Sequence, residues 1–264
     1  MAVPTALTIA GSDSSGGAGI EADIKTMAAF GVYGAAAVTS VTAQNTLGVS
    51  ASLHLPPELV AAQIDAVIED IGAGAAKTGM LATTGIVEAV ADRIARHGIE
   101  RLVADPVMVA TSGAPLMEDE TIEVFRRTLA PLALVITPNV PEAEVLSGIE
   151  LVSREAVEDA ARAIADLGPS FVLIKGGHFE DGATDTLYDG DRFERFTAPR
   201  VPVGPVHGTG CTLSAAIASG LALGRDVRAS AWLAKRYVTR GIESALTLGK
   251  GSALVNHFVA PDDD

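Results

Sequence analysis

Short apolar runs that lack period-two alternation, each followed by a polar tip and then a helical pattern, constrain this chain more than anything else in it. Ala6 to Ala10 (ALTIA), Ala35 to Val41 (AAAVTSV), Leu102 to Ala104 and Ala133 to Thr137 (ALVIT) are of this kind, as are Phe171 to Lys175 and the shorter Ala75 to Met80 with its turn. A strand wetted on one face alternates apolar and polar residues, whereas one that is apolar throughout is covered on both faces. Between the runs lie helical patterns at Ile20 to Phe30, Pro57 to Ile71, Thr84 to His97 (closed by Gly98), Thr121 to Leu129 and Arg154 to Leu167. Two more follow at roughly Thr212 to Leu223 and Val227 to Leu246, after a hairpin pairing Thr186 to Tyr188 with Phe193 to Phe196. Strand and helix in alternation predict an α/β fold with a central, mostly parallel sheet and helices on both faces. With 264 residues, 48% of them apolar, and no repeat or linker, one domain spanning 1–264 is expected. The acidic end, Pro261 to Asp264, is expected to fray.

In such sheets ligands bind beyond the carboxyl ends of the strands. That edge collects the loop Gly11 to Gly19, Gln44, Asp105, Asn139, Lys175 and the stretch Val203 to Ala216. In the last of these, Gly208-Thr209-Gly210 narrows into a helix that opens at Cys211. Two glycines allow a tight turn with several N–H groups aimed one way, and the helix start adds unpaired donors and a positive dipole end. Together they form a pocket for an anion, with phosphate as the expected occupant. Cys211 at that positive end is expected to lose its proton more readily than a thiol in water. The alternative is a glycine-capped helix with Cys211 as a small core residue.

The other candidates carry similar pairs of readings. GSDSSGGAG is not a dinucleotide fingerprint, since no acid ends the second strand, and no Gly-Lys-Ser/Thr makes it a Walker loop. It reads as a small-molecule lid or a structural turn. Gln44 offers the acceptor and donors that match a pyrimidine edge, or is an exposed loop residue. Asp23 either helps hold a substrate or complements a helix dipole. Asp105, projecting from a strand end, suits a magnesium ion beside phosphate, with Glu142 as second carboxylate; either could instead cap a helix. Lys175 is placed to reach phosphate as a point charge, while Lys235 reads as a surface lysine on spacing alone. His178 reads as a turn residue, and no spacing suggests zinc or a Ser-His-Asp arrangement.

A net charge of −14 excludes nucleic acid and anionic membranes as favoured partners. One cysteine excludes an internal disulfide, and neither a basic-led signal segment nor a bilayer-length apolar run is present. A cytoplasmic protein is expected.

Taken jointly and in order, Ala10 to Asp23, Val41 to Thr46, Asp105-Pro106-Val107-Met108, Thr137-Pro138-Asn139 with Glu142, Lys175 to His178 and His207 to Thr212 resemble the ribokinase-like kinases. Within these they resemble the hydroxymethylpyrimidine/phosphomethylpyrimidine kinases of thiamine biosynthesis. The resemblance implies MgATP-dependent phosphorylation of a pyrimidine alcohol and then of its monophosphate. It implies that Gln44 reads the pyrimidine edge with Gly11, Asp23 and Val107 beside it. It places Cys211, as a thiolate, at the reacting hydroxyl, with Gly208, Gly210 and Lys175 on the transferred group. Lys175, Asn139, Thr209 and Lys235 are implied at the nucleotide and phosphates, Asp105 and Glu142 at Mg²⁺, and a homodimer is implied as the assembly. Sugar kinases of the superfamily carry aspartate where Cys211 stands, which disfavours a ribose-like substrate. A pyridoxal kinase on the same scaffold is the alternative, and a non-catalytic pyrimidine sensor is a second.

Overall fold

The computed structural model describes residues 3–109, 116–176 and 183–261. In chain order the strands are β1 (Thr5–Ala10), β2 (Tyr33–Val38), β3 (Ser40–Asn45), β4 (Gly48–His54), β5 (Ala75–Thr78) and β6 (Leu102–Ala104). They continue as β7 (Val135–Ile136), β8 (Phe171–Ile174), β9 (Ala183–Tyr188), β10 (Phe193–Ala198), β11 (Val206–His207) and β12 (Ala253–Leu254). The helices are α1 (Gly19–Ala29), α2 (Pro57–Asp70), α3 (Thr84–Arg96), α4 (Asp119–Thr128), α5 (Val140–Ser147), α6 (Arg154–Ala165), α7 (Thr209–Ala222) and α8 (Val227–Glu243).

Among the described residues, eight strands form one sheet in the order β10-β9-β8-β7-β6-β5-β1-β2. From β2 to β8 neighbours run parallel, and β9 and β10 close one edge as an antiparallel hairpin. Neighbouring residues of a strand face opposite ways, so each apolar run feeds two cores at once. Leu7, Ile9, Ala76, Leu102, Ile136 and Val172 meet α2 through α6 on one face. Ala6, Ala75, Val103, Val135 and Leu173 meet α1, α7 and α8 on the other. Each fully buried Leu or Ile contributes roughly 1.5–3 kcal/mol, which is why the strands have no polar alternation. This layering is the α/β class expected from the sequence, a mostly parallel sheet with helices on both faces.

Helix α7 packs closely between the sheet and α8. Thr212 through Leu221 are all buried, and most of them are Ala, Ser or Gly, which shortens the distance at which the backbone can pack. At Gly220 an added Cβ would lie 2.5 Å from Ser230 Oγ of α8.

The structure departs from the sequence reading at the second strand. The run from Ala35 does not continue through Val41; β2 ends at Val38, and Ser40 begins a separate two-stranded ribbon, β3 with β4. The polar tip at Thr42 to Thr46 is therefore half of a β-hairpin standing over the sheet edge. Its outward positions carry Val41 opposite Leu53, both exposed, so no buried-strand pattern announces β4. The Gly177-His178 end of the Lys175 motif and most of the acidic tail lie outside the described residues. Within them, no helix is long and apolar enough to cross a membrane.

Candidate active site

Strand ends and loops enclose a cavity of about 720 Å³. Cys211 and Gln44, from opposite sides of the chain, line it together, along with Gly11, Val107, Asp105, Asn139 and Glu142. Lys175, Gly208, Thr209, Gly210 and Lys235 complete that set.

The anion cradle is held by backbone packing. Gly208 caps α7 with φ +87, and a Cβ there would lie 1.8 Å from the Gly17 carbonyl oxygen. A Cβ on Gly19 would lie 2.4 Å from the Gly11 carbonyl oxygen. The two glycine-rich loops thus touch main chain to main chain, which only glycine permits. Helix α7 begins at Thr209, two residues before the expected Cys211, so the amides of Thr209, Gly210 and Cys211 all fall in its first turn. None of the three has a preceding helical carbonyl to bind. Thr212 Oγ1 donates to Gly208 O at 2.8 Å and lies 2.9 Å from His257 Nε2, bracing the turn from behind.

A charged cluster faces the cradle. Lys175 Nζ donates to Asp105 Oδ1 at 2.7 Å and stands 3.7 Å from Glu142 Oε2. Thr137 Oγ1 donates to Asp105 Oδ1 at 3.2 Å, and Ser214 Oγ donates to Asp105 Oδ2 at 3.0 Å. Burial opposes ionisation of Asp105, but Lys175, then Lys77, and hydrogen bonds from Lys175 and Ser214 outweigh it, so its carboxyl is held below the ordinary range. For Glu142 burial prevails over Lys175 and raises the carboxyl. Burial likewise works against the charge on Lys175, yet Asp105 and Glu142 keep its ammonium above the usual lysine range.

Asn139 and Glu142 form a capping box for α5: Asn139 Oδ1 accepts from Glu142 N at 2.9 Å, and Glu142 Oε2 accepts from Asn139 N at 2.8 Å. Glu142 is thus part of a helix cap, the alternative raised for it, and both residues also line the cavity. Lys235 is not a free surface lysine; its Nζ lies 3.0 Å from Asp185 Oδ2, and Asp185 Oδ1 accepts from Gly176 N at 2.8 Å.

Two expectations are corrected. Asp23 does not line the cavity: it is fully buried on α1, with its carboxylate held by Lys77 Nζ at 2.9 and 3.1 Å and by Thr8 Oγ1 at 2.6 Å. Fully buried in these contacts, the side chain does not reach a ligand in the cavity. The second concerns Cys211, whose thiol is not acidified. Burial pushes it up to about 11; Lys77 draws it down, Asp23 and Asp105 push it further up, and the Gly19 amide draws it down. Loss of solvent around the thiol outweighs the favourable pull of Lys77 and the Gly19 amide.

Three residues that sequence reasoning did not single out emerge here. Lys77, fully buried, neutralises Asp23; a lysine inside an apolar strand is itself a signal, because unpaired charge is not buried. Asp13 and His207 were visible only as parts of longer motifs. His207 Nε2 lies 2.9 Å from Asp13 Oδ2 and 3.0 Å from Gln44 Nε2, tying the first loop, the hairpin and the approach to the cradle together.

Known proteins share this arrangement along nearly the whole chain. A hydroxymethylpyrimidine/phosphomethylpyrimidine kinase of Bacillus subtilis is 44% identical over 260 residues, covering 98% of this chain and 96% of that one. A thiamine biosynthesis bifunctional protein of Geobacter sulfurreducens is 46% identical over 258 residues; this chain spans 53% of its length. Among solved structures, the ADP complex of Bacillus subtilis pyridoxal kinase superposes with a TM-score of 0.90 at 37% identity, covering 97% of this chain and 98% of that one. The phosphomethylpyrimidine kinase profile matches residues 13–256, and the chain belongs to that family.

Proposed function

We propose that this protein phosphorylates 4-amino-5-hydroxymethyl-2-methylpyrimidine with MgATP, and then its monophosphate, as a step in thiamine biosynthesis. The observation that carries the proposal is a single cavity whose walls include both Gln44 and the Gly208 to Cys211 cradle, with Asp105 and Lys175 between them. The names of the relatives supply the substrate class. ATP is the phosphoryl donor, in keeping with the ADP-bound pyridoxal kinase of the same fold.

The residues present fit a divalent cation. Two carboxylates, Asp105 and Glu142, already share one cation, the Lys175 ammonium, at 2.7 and 3.7 Å. Hard oxygen donors of this kind suit Mg²⁺, which is held by one or two carboxylates plus phosphate and water. Bound there, the ion would neutralise charge on the phosphates of ATP.

The chain's own groups do the rest. Gln44 orients the ring from the hairpin, with Gly11 and Val107 at its sides. Charge growing on the transferred group is held by the first-turn amides of α7 and by Lys175, acting in place before the reaction starts. Asn139, Thr209 and Lys235 support the phosphate and nucleotide side. Cys211 lines the cavity as a neutral thiol and, as a thiolate, would take the proton of the substrate hydroxyl. Phosphoryl transfer passes through a loose transition state, so positioning of the reacting groups carries much of the barrier beside proton removal.

The outward Val41 and Leu53 of the hairpin support assembly as a homodimer, to be tested by analytical ultracentrifugation. A single cysteine and the absence of any membrane-length helix among the described residues support a cytoplasmic location. The likeness to a pyridoxal kinase favours one second reading, phosphorylation of pyridoxal. Mass analysis of products from ATP with the pyrimidine alcohol and pyridoxal in parallel tests both. Absence of phosphorylated pyrimidine would sink the first reading.

A further inference from the structure

His207 and Asp13 are both buried, at 7% and 1% exposure. The Asp13 carboxylate accepts from Ser15 N, Ser15 Oγ, Gly17 N and Ala18 N, all between 2.8 and 3.1 Å, as well as facing His207. Burial resists its ionisation, but the hydrogen bonds from His207, Ser15 and Ala18 prevail and hold the carboxyl at about 2. A carboxylate only accepts. The hydrogen on His207 Nε2 therefore points at Asp13.

A ring nitrogen that carries a hydrogen has no lone pair left for a second donor. The Gln44 amide nitrogen, 3.0 Å away, cannot donate to it, whereas an amide oxygen in that place would share that hydrogen with Asp13. On the amide's other side, Thr42 Oγ1 lies 3.2 Å from Gln44 Oε1 and gives its hydrogen to Ser12 O at 2.8 Å. It has only lone pairs to offer Gln44. Half a turn about the last side-chain bond removes both conflicts, with the oxygen sharing the His207 hydrogen and the nitrogen donating to Thr42. The oxygen then keeps a second lone pair, and the nitrogen a second hydrogen.

We propose that the buried Asp13–His207 pair is an orientation lock on Gln44, making both residues positioning residues for the selection of an aminopyrimidine. The proposal rests on the pyrimidine reading of the cavity. A ring nitrogen next to an exocyclic amine must meet a donor and an acceptor in one fixed order. An amide free to turn presents both orders, and so discriminates poorly. A locked one leaves the second lone pair of its oxygen without a partner when the amine is missing, and that is where selectivity arises.

The test is a binding cycle by calorimetry on 4-amino-5-hydroxymethyl-2-methylpyrimidine and its analogue with methyl in place of the amine. Wild type should prefer the amine by about 30-fold or more. His207→Leu should cut that preference roughly tenfold, while binding of the methyl analogue changes little. His207→Gln should restore most of it, since its amide nitrogen can donate to both Asp13 and the Gln44 oxygen. Thr42→Val, which removes the other side of the lock, should lower the preference as well and serves if the leucine variant does not fold. Equal weakening of both ligands, an unchanged ratio in both His207→Leu and Thr42→Val, or a glutamine variant as unselective as the leucine one would overturn the lock. Wild type that binds neither ligand would instead overturn the pyrimidine reading, and the lock with it.

Discussion

Lys77 Nζ lies 2.9 Å from Asp23 Oδ2, and neither side chain is exposed to solvent. The pair joins β5 to α1 behind the cavity wall, with Thr8 Oγ1 completing the carboxylate's bonds. Stripping water from two ions is costly, so such a pair adds little net stability over an apolar one, yet losing one partner leaves a bare charge. Asp23→Leu is therefore expected to destabilise the fold by about 3–5 kcal/mol. Asp23→Leu with Lys77→Met should recover much of that loss, both read by urea unfolding. A single variant as stable as the parent would mean that another group takes over the charge of Lys77.

That pair also marks where the sequence stopped being legible. The alternation of apolar runs with helices showed the parallel sheet, because burial on both faces erases the polar alternation at Leu102 to Ala104 and Ala133 to Thr137. The residues at the strand ends were legible for the same reason: Asp105, Asn139 and Lys175 are polar where the strands are not. Asp23 was not, since position in a helix does not reveal which way a carboxylate turns, and its partner comes from a strand 54 residues later. The Cys211 thiol was misjudged because a helix start is a local feature whereas desolvation depends on the whole packed cavity. Strand β4 escaped because none of its residues is fully buried, so no core imposes a period on it.

Lys175 is the cation shared by Asp105 and Glu142, and it lines the cavity opposite Gly210. Removing one preorganised charge from a transferring phosphoryl group typically costs 10²–10³ in turnover. Lys175→Met should lower kcat by about that factor while leaving the Kd of the pyrimidine alcohol within about threefold. Steady-state kinetics with calorimetric binding separates the two. A loss confined to pyrimidine binding would move Lys175 from the phosphate side to the substrate side.

For Cys211 the direction of the pH dependence is fixed by its raised thiol, at about 11. Below that value the free enzyme holds the protonated thiol, so kcat/KM should climb about tenfold per pH unit from neutrality up toward pH 10 if the thiolate acts. Cys211→Ala should reduce turnover by about 10²–10⁴ and abolish the climb, with pyrimidine affinity nearly unchanged. A flat wild-type profile between pH 7 and 10, or equal turnover in the variant, would remove Cys211 as the base.

The two glycines of the cradle should fail in different ways. At Gly208 an added methyl meets the Gly17 carbonyl at 1.8 Å, on a residue whose φ of +87 disfavours any side chain. Neither the rigid carbonyl nor the dihedral can yield cheaply, so Gly208→Ala should destabilise the fold by roughly 1–3 kcal/mol from the backbone strain alone, lowering the melting temperature as well as activity. Gly210 has ordinary backbone, and its nearest neighbours for a Cβ are Lys175 Nζ at 3.4 Å and Asp105 Oδ2 at 3.8 Å. Its methyl would sit where the transferred phosphoryl group is proposed to pass. Gly210→Ala should melt within a few degrees of wild type yet turn over slowly, because the space is lost and the fold is not. Calorimetric melting and initial rates on both variants read this contrast; a Gly210→Ala enzyme of normal rate would take the reacting phosphate away from the start of α7.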